Sequence, residues 1–171
     1  FVVTDAGQDF NPRRMERYFA IMQRSGARSV ALLNKMDLFS EADNEATAAQ
    51  LRGLNPEIEV VLTSALKKSG VDTLRTYLQP GVTAAMVGSS GVGKSSIINQ
   101  LLGRDFLWTG EVNGVTGKGM HTTTARELLL LPGGGMLIDN PGIREVQMWT
   151  DAKTLKESFS DFDQVARQCK F

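Results

Sequence analysis

Residues 88–95 read Gly-Ser-Ser-Gly-Val-Gly-Lys-Ser, a G-x-x-x-x-G-K-[ST] spacing between an apolar run (83–87, TAAMV) and a segment of helical spacing (94–103, KSSIINQLLG). The chemistry that calls for this pattern is polyphosphate binding. Glycines let backbone N–H groups close on phosphate oxygens where a side chain would stand in the way. Here those groups belong to Ser90, Gly91, Val92, Gly93, Lys94, Ser95 and Ser96. A helix start adds positive partial charge at the same place. Lys94 is the candidate for the β- and γ-phosphates, hence for the reacting end of a nucleotide, and the Ser95 hydroxyl is the candidate ligand of Mg2+. A glycine-rich turn with a solvated lysine is the plainer alternative.

Asp139-Asn140-Pro141-Gly142 follows the apolar run MLI, so its carboxylate is placed at a strand end, where open α/β sheets bind ligands. Asp139 is a candidate to hold Mg2+ through water, and the Gly142 N–H a candidate to bond a γ-phosphate. Alone, D-x-P-G is a common turn.

Asn34-Lys35-Met36-Asp37 ends another apolar run. Guanine presents N1–H and N2–H2 as two parallel donors on one edge, and one carboxylate, Asp37, can accept both. Adenine offers no such pair and would leave the charge unmatched. Asn34 is expected to brace the loop and the Lys35 stem to cover the base face. Thr63-Ser64-Ala65 follows a further strand-like run, and the Ala65 N–H can serve guanine O6. The alternative for the tetrad is a helix-start turn after a strand.

The order along the chain is base-reading, base-reading, phosphate, loop, sensor. Ordinary guanine-nucleotide switches run phosphate, loop, sensor, base-reading, base-reading. One order is the other cut once and rejoined. Parallel strands with surface connections tolerate that rearrangement, because a site needs strand ends close in space and not in sequence.

The elements that must position these residues are legible as alternating patterns. Strand-length apolar runs fall at 1–4, 29–33, 58–62, 83–87, 127–131 and 136–139. Helical spacing falls at 12–26, with Met15, Tyr18, Phe19 and Met22 on one face and Gly26 at the end; at 41–55, capped by Ser40 or Asp43; at 70–78, with Asp72 near the start; and at 94–103, closed by Gly103. The alternation predicts a three-layer α/β domain of the P-loop NTPase fold with a mostly parallel sheet, circularly permuted. The glycine-rich link Pro132-Gly133-Gly134-Gly135 predicts one antiparallel hairpin between 127–131 and 136–139. Residues 104–126 show no periodicity and read as a long functional loop. The tail 151–169 reads as helical, with Leu155, Phe159 and Phe162 on its buried side.

A length of 171 residues suits one core; nineteen basic residues balance nineteen acidic ones, so no overall field draws the chain to nucleic acid or a membrane. The single cysteine, Cys169, excludes an internal disulfide and fits a reducing compartment. With no signal peptide and no uninterrupted apolar stretch of about 18 residues, a cytoplasmic location is expected. The chain begins at Phe1 inside a strand-like run and stops at Phe171 without a polar tail, and a fragment of a longer protein is expected.

The motifs in this order resemble the circularly permuted GTPases, most closely the ribosome small-subunit-dependent GTPase A family. The resemblance is carried by NKMDL, TSA, GSSGVGKSSIINQLL, GKGMHTTTARELLLLPGGGMLIDNPGIRE and FDQVARQCKF, with 117–145 the most specific stretch. It implies a GTPase domain over 1–150 and a helical segment at 151–171 leading to a zinc module, with an oligonucleotide-binding barrel ahead; both extra modules are absent from this chain. Cys169 matches the start of the zinc module, and one thiol cannot make a four-ligand site, so zinc is expected only in the full-length protein. The resemblance further implies GTP, GDP and Mg2+ as ligands, and the small ribosomal subunit with its rRNA as partner. No membrane contact and a monomeric state are expected.

Many small GTPases place a water-orienting glutamine after the sensor; here that residue is Ile143. His121, the only histidine, is the alternative candidate to position or deprotonate water, or else a solvated loop residue. Within Thr122-Thr123-Thr124, resemblance to related loops favours Thr123, with Thr122 second, as the threonine that closes over Mg2+ and γ-phosphate. Slow hydrolysis alone, stimulated by the subunit, is the expectation. Trp108 and Trp149 could stack RNA bases or pack locally, and Arg126 and Arg144 could act on phosphate charge or make surface ion pairs. Three rivals stand beside this reading: a P-loop ATPase or kinase; a nucleotide-gated RNA- or ribosome-binding module with negligible turnover; and a permuted GTPase acting on the large subunit, distinguished chiefly by HTTT, LPGGG and the cysteine-bearing end.

Overall fold

The apolar runs at 2–5 and 30–34 become strands covered on both faces, as the interior of a parallel sheet requires. The computed structural model describes residues 1–104 and 127–139. Their elements run β1 (Val2–Asp5), α1 (Pro12–Ser25), β2 (Val30–Asn34), α2 (Glu41–Leu54), β3 (Glu59–Leu62), α3 (Val71–Leu74), β4 (Thr83–Ala85), β5 (Val87–Gly88), α4 (Lys94–Leu102), β6 (Glu127–Leu130) and β7 (Met136–Asp139). A 3-10 turn at Met36–Leu38 lies between β2 and α2, and another at Arg75–Tyr77 extends α3.

Strands β3, β2, β1 and β5 form one parallel sheet in that order; β4, β7 and β6 form a second, with β4 and β7 parallel and β6 antiparallel to β7. The run expected as one strand at 83–87 is two, because it changes partners at the fully buried Met86. The Met86 N–H donates to Ile138 O at 3.3 Å and the Val87 N–H to Phe1 O at 2.9 Å. Segment 83–88 thus stands between β1 and β7 and ties the two sheets together. The hairpin expected at 127–139 forms, with Leu128 opposite Ile138 and Leu130 opposite Met136.

The faces of the sheet sort their side chains. Val2 and Ala31 pack with Met15, Tyr18 and Phe19 of α1 and Leu51 of α2, whereas Val3 and Leu32 pack with Leu74 of α3 and Ile97, Ile98 and Leu101 of α4. Each fully buried Leu or Ile contributes about 1.5–3 kcal/mol. The expected caps hold for three helices: Ser40 Oγ accepts the Asp43 N–H at 3.1 Å ahead of α2, and α1 and α4 end at Gly26 (φ +68) and Gly103 (φ +70) in the left-handed region. The third helix, expected over 70–78, is one α-turn followed by a 3-10 turn. Its Arg75 guanidinium donates to Leu101 O at 3.1 Å and Gln100 O at 3.2 Å, closing the C-terminus of α4.

Chain leaves β1 toward β2 and leaves β5 toward β7, in opposite directions along the sheet. Their carboxyl ends therefore flank a switch point, the place where open α/β sheets bind ligands. The expected loop beyond Arg104, the boundary at 150 and the helical tail lie outside the described residues.

Candidate functional site

The glycine-rich loop follows β5 directly. Gly88 passes so close to β1 that a Cβ there would overlap Val3 O. The loop turns through Gly91 (φ +80) and Gly93 (φ +100) into α4, whose N-terminus carries no side-chain cap. Ser90 and Gly91 are exposed, Val92 is buried, and Ser95 and Ser96 are half-buried in the first helical turn. Lys94 is buried, with Nζ donating to Gly88 O at 2.9 Å and Ser89 O at 2.7 Å. Burial pushes its ammonium below the ordinary lysine range, and the carboxylates of Asp139 and Asp9 pull partly the other way. Asp139, 1% exposed at the end of β7, is thus close enough to act on Lys94. The Ser89 hydroxyl is buried without a hydrogen-bond partner among the described residues.

The second group of residues lies at the ends of β2 and β3. Asn34, 1% exposed, makes three bonds: Nδ2 donates to Val92 O at 2.9 Å, and Oδ1 accepts from Thr63 Oγ1 at 3.1 Å and from the Ala65 N–H at 3.4 Å. One side chain therefore joins the tetrad, the Thr63-Ser64-Ala65 segment and the phosphate loop. It also explains Gly93, where any Cβ would overlap Asn34 Nδ2. A backbone bond from the Met36 N–H to Thr63 O at 3.1 Å adds to the joint between the two base-side loops. Ser64 is buried, and its Oγ accepts the Lys67 N–H at 3.0 Å, folding 64–69 into a closed turn.

Lys35 adopts a left-handed backbone (φ +60) and sends Nζ to Asp5 Oδ2 at 3.3 Å. Asp5 ends β1, in register with Asn34, and its Oδ1 accepts the Gly7 N–H at 3.0 Å. The ammonium is thereby fixed while the methylene stem is left to cover a flat surface. Asp37 lies exposed on the 3-10 turn. Asn44, in the first turns of α2, donates from Nδ2 to Met36 O at 3.0 Å and Phe39 O at 3.3 Å, on either side of that aspartate.

Of the residues singled out from sequence, Asn34, Lys35, Asp37, Ser64, Ala65 and Ser90 to Ser96 lie at or after the ends of β2, β3 and β5 in the first sheet, and Asp139 ends β7 of the second. His121, Thr122, Thr123, Gly142, Ile143, Trp108, Trp149, Arg126, Arg144 and Cys169 lie outside the described residues. Sequence reasoning missed Asp5, Asp9 and Asn44. Asp5 had a signal, an acidic residue closing an apolar run as Asp139 does; Asn44, a polar residue within a helix, had none. The hydroxyl of Ser95 and the buried carboxylate of Asp139 are oxygen donors suited to a hard cation such as Mg2+. Among the described residues, no three His, Cys, Asp or Glu come together as a metal-holding group, and no helix is long and apolar enough to cross a membrane.

A glycine phosphate loop joined through an asparagine to a carboxylate-bearing turn, with the base-side loops first in the chain, defines a P-loop nucleotide-binding domain of permuted order. Residues 1–149 match the family described as RsgA GTPase. The chain belongs to that family. It is 49% identical over 172 residues to the small ribosomal subunit biogenesis GTPase RsgA of Methanosarcina acetivorans, covering 100% of this chain and 46% of the relative. It is 44% identical over 172 residues to the protein of that name from Opitutus terrae, with the same coverage, 100% and 46%. The chain spans just under half the length of these curated relatives. Among solved structures, YjeQ from Thermotoga maritima superposes with a TM-score of 0.70 at 27% identity, over 94% of this chain and 54% of the other. YloQ, described as a circularly permuted GTPase, superposes with a TM-score of 0.65 at 22% identity, over 99% and 54%, a likeness of fold.

Proposed function

We propose that this chain binds and hydrolyses GTP as the nucleotide-dependent part of a factor that acts in assembly of the small ribosomal subunit. The names of its relatives support the partner, and the site supports the nucleotide. The observation that carries the reading is the Asn34 Nδ2 bond to Val92 O, which ties the Asp37 turn to the phosphate loop across 58 residues of sequence. With that joint, a purine read by Asp37 and a polyphosphate in the glycine loop belong to one ligand.

In this reading Asp37 accepts the guanine N1–H and N2–H2, the Lys35 stem covers the base, and the Ala65 N–H serves O6 by leaving Asn34 Oδ1, to which it donates at 3.4 Å. The N–H groups from Ser90 to Ser96 cradle the phosphates. Lys94 commits two of its three donors to loop carbonyls and keeps the third for a phosphate oxygen. Ser95 and Asp139 would hold Mg2+, with Thr123 joining them; when bound, the ion neutralises charge on the β- and γ-phosphate oxygens. Gly142 offers its N–H to the γ-phosphate. His121 orients or deprotonates the attacking water when the partner is bound, because Ile143 has no polar atom for that task. Hydrolysis is slow alone and stimulated by the subunit and its rRNA, in the cytoplasm, by a monomer.

Calorimetry with GTP, GDP and ATP tests the nucleotide, and Asp37→Asn tests the reader. Guanine nucleotides should bind at least about 100-fold more tightly than ATP, and Asp37→Asn should move preference toward xanthine nucleotides. Equal affinity for ATP and GTP would overturn the reading. Turnover measured with and without small subunits tests the stimulation.

A further inference from the structure

Asp37 reads a base only if both carboxylate oxygens reach two parallel donors, so the backbone beneath it has to be fixed. Yet Asp37 lies exposed on a single 3-10 turn, Met36–Leu38, with no side-chain cap of its own. One side of that turn is tied to Thr63 O through the Met36 N–H. Among the described residues, one side chain holds the carbonyls on both sides of Asp37. Asn44, 3% exposed, reaches back from α2 and donates to the carbonyls of Met36 (3.0 Å) and Phe39 (3.3 Å), which bracket Asp37.

We infer that Asn44 is a positioning residue for guanine selectivity: it holds the Asp37-bearing turn by its two flanking carbonyls, without touching the nucleotide. The inference rests on Asp37 as the guanine reader. The Ser40 cap starts α2 at a point that directs Asn44 inward, and the Asn44 backbone N–H is satisfied by Ser40 O at 3.0 Å, so its side-chain amide is free for the turn. The amide orientation follows from its surroundings. Turned the other way, its oxygen would face two carbonyl oxygens. As it stands, Asn44 Oδ1 is buried with no partner among the described residues. A buried acceptor without a donor is costly, so the side chain is held there by its two donor contacts. An aspartate at this position has the same shape and no donors, and would set a carboxylate against both carbonyls.

The test uses this chain and three ligands: GDP, IDP (which lacks the N2 amine that Asp37 accepts) and inorganic triphosphate. Asn44→Ala is expected to lower GDP affinity about 10-fold and to shrink the GDP-over-IDP preference, as loss of two hydrogen bonds implies. Triphosphate affinity should stay as it was. Asn44→Asp should do more, and Asn44→Ser, which keeps one donor, should do less; Asn44→Ser gives the readout if the alanine variant does not fold. An unchanged GDP-over-IDP ratio, or an equal fall in triphosphate binding, overturns the inference, since a merely structural loss would weaken all three ligands together. Asp37→Asn, run alongside, separates the two levels. If it shifts preference toward xanthine and the Asn44 variants leave the ratio alone, only the role of Asn44 fails; if it shifts nothing, the reader itself fails.

Discussion

The two ends of the site are built by different means. At the base end, side chains do the holding: Asn34 makes three bonds, Asp5 fixes Lys35, and Asn44 grips the turn of Asp37. At the phosphate end, backbone does it. The loop runs through left-handed glycines, α4 has no side-chain cap, the Ser89 hydroxyl has no partner among the described residues, and Lys94 is turned onto carbonyls of its own loop. A base edge differs from its competitors by one or two donors, so its reader needs a fixed geometry before the ligand arrives. A polyphosphate brings large charge and many acceptors, so backbone N–H groups and one ammonium suffice, and some groups wait for it.

Among the described residues Asn34 is the one side chain that belongs to both ends, and breaking it should cost most. Asn34→Ala removes three hydrogen bonds and strands the buried Val92 carbonyl and Thr63 hydroxyl, an expected loss of about 2–4 kcal/mol in stability. GDP affinity should fall on the order of 100-fold, and inorganic triphosphate should weaken too, which is not expected of the Asn44 variants. Gly93→Ala probes the same joint from the other side, because its Cβ would overlap Asn34 Nδ2. In the Asn34→Ala background that overlap is gone, and Gly93→Ala should cost about 1 kcal/mol less than in the parent, measured by urea denaturation. Strict additivity, or triphosphate binding untouched by Asn34→Ala, would mean that the two ends are not mechanically joined.

Asp5 belongs to the base end alone, so its loss should be felt there alone. The Lys35–Asp5 pair is partly exposed, with the lysine side chain 32% accessible, which limits its strength. Asp5→Ala should weaken guanine nucleotides by about 3- to 10-fold and leave inorganic triphosphate unaffected. Asp5→Asn, which still accepts the Gly7 N–H, should recover part of the loss, and the difference from the parent should narrow at high salt. A fall in triphosphate binding would blur the division between the two ends.

How much of this was legible in the sequence follows the same division. The phosphate loop is local: its glycines, lysine and serines are contiguous, and the flanking strand and helix are set by short-range apolar patterning. The sheet was legible for the same reason, down to the antiparallel hairpin and its Pro132–Gly135 link. The base end is assembled from segments far apart in sequence. The tetrad announces itself, but what supports it does not. That Asn34 spends its Nδ2 on Val92 O, or that Asn44 serves Met36 and Phe39, depends on where α2 and the loops settle, and no spacing rule encodes that. The break of segment 83–88 at Met86 was likewise hidden, since strand partners are a property of the sheet and not of the run. The use of Arg75 to close α4 was hidden as well, because it depends on how two helices pack.

The smallest expected effect tests whether the phosphate end carries an unsettled charge. Burial lowers the Lys94 pKa from its usual 10.5 in the folded chain, Asp139 and Asp9 offsetting part of the effect. Below the lowered value both folded and unfolded chains hold the proton, and the cost of the buried ammonium is fully present. Above the lowered value the folded chain releases its proton first, so the unfolded chain binds more protons and stability rises with pH until about 10.5, where both are neutral. Urea denaturation across that alkaline window should show this rise in the parent and a flatter profile in Lys94→Met. Bound GDP sets phosphate charge beside the ammonium, raises its pKa and moves the rise to higher pH. If the parent and Lys94→Met profiles run parallel, and GDP shifts neither, Lys94 is as settled without a ligand as Asn34 is, and the contrast between a prebuilt base end and a waiting phosphate end disappears.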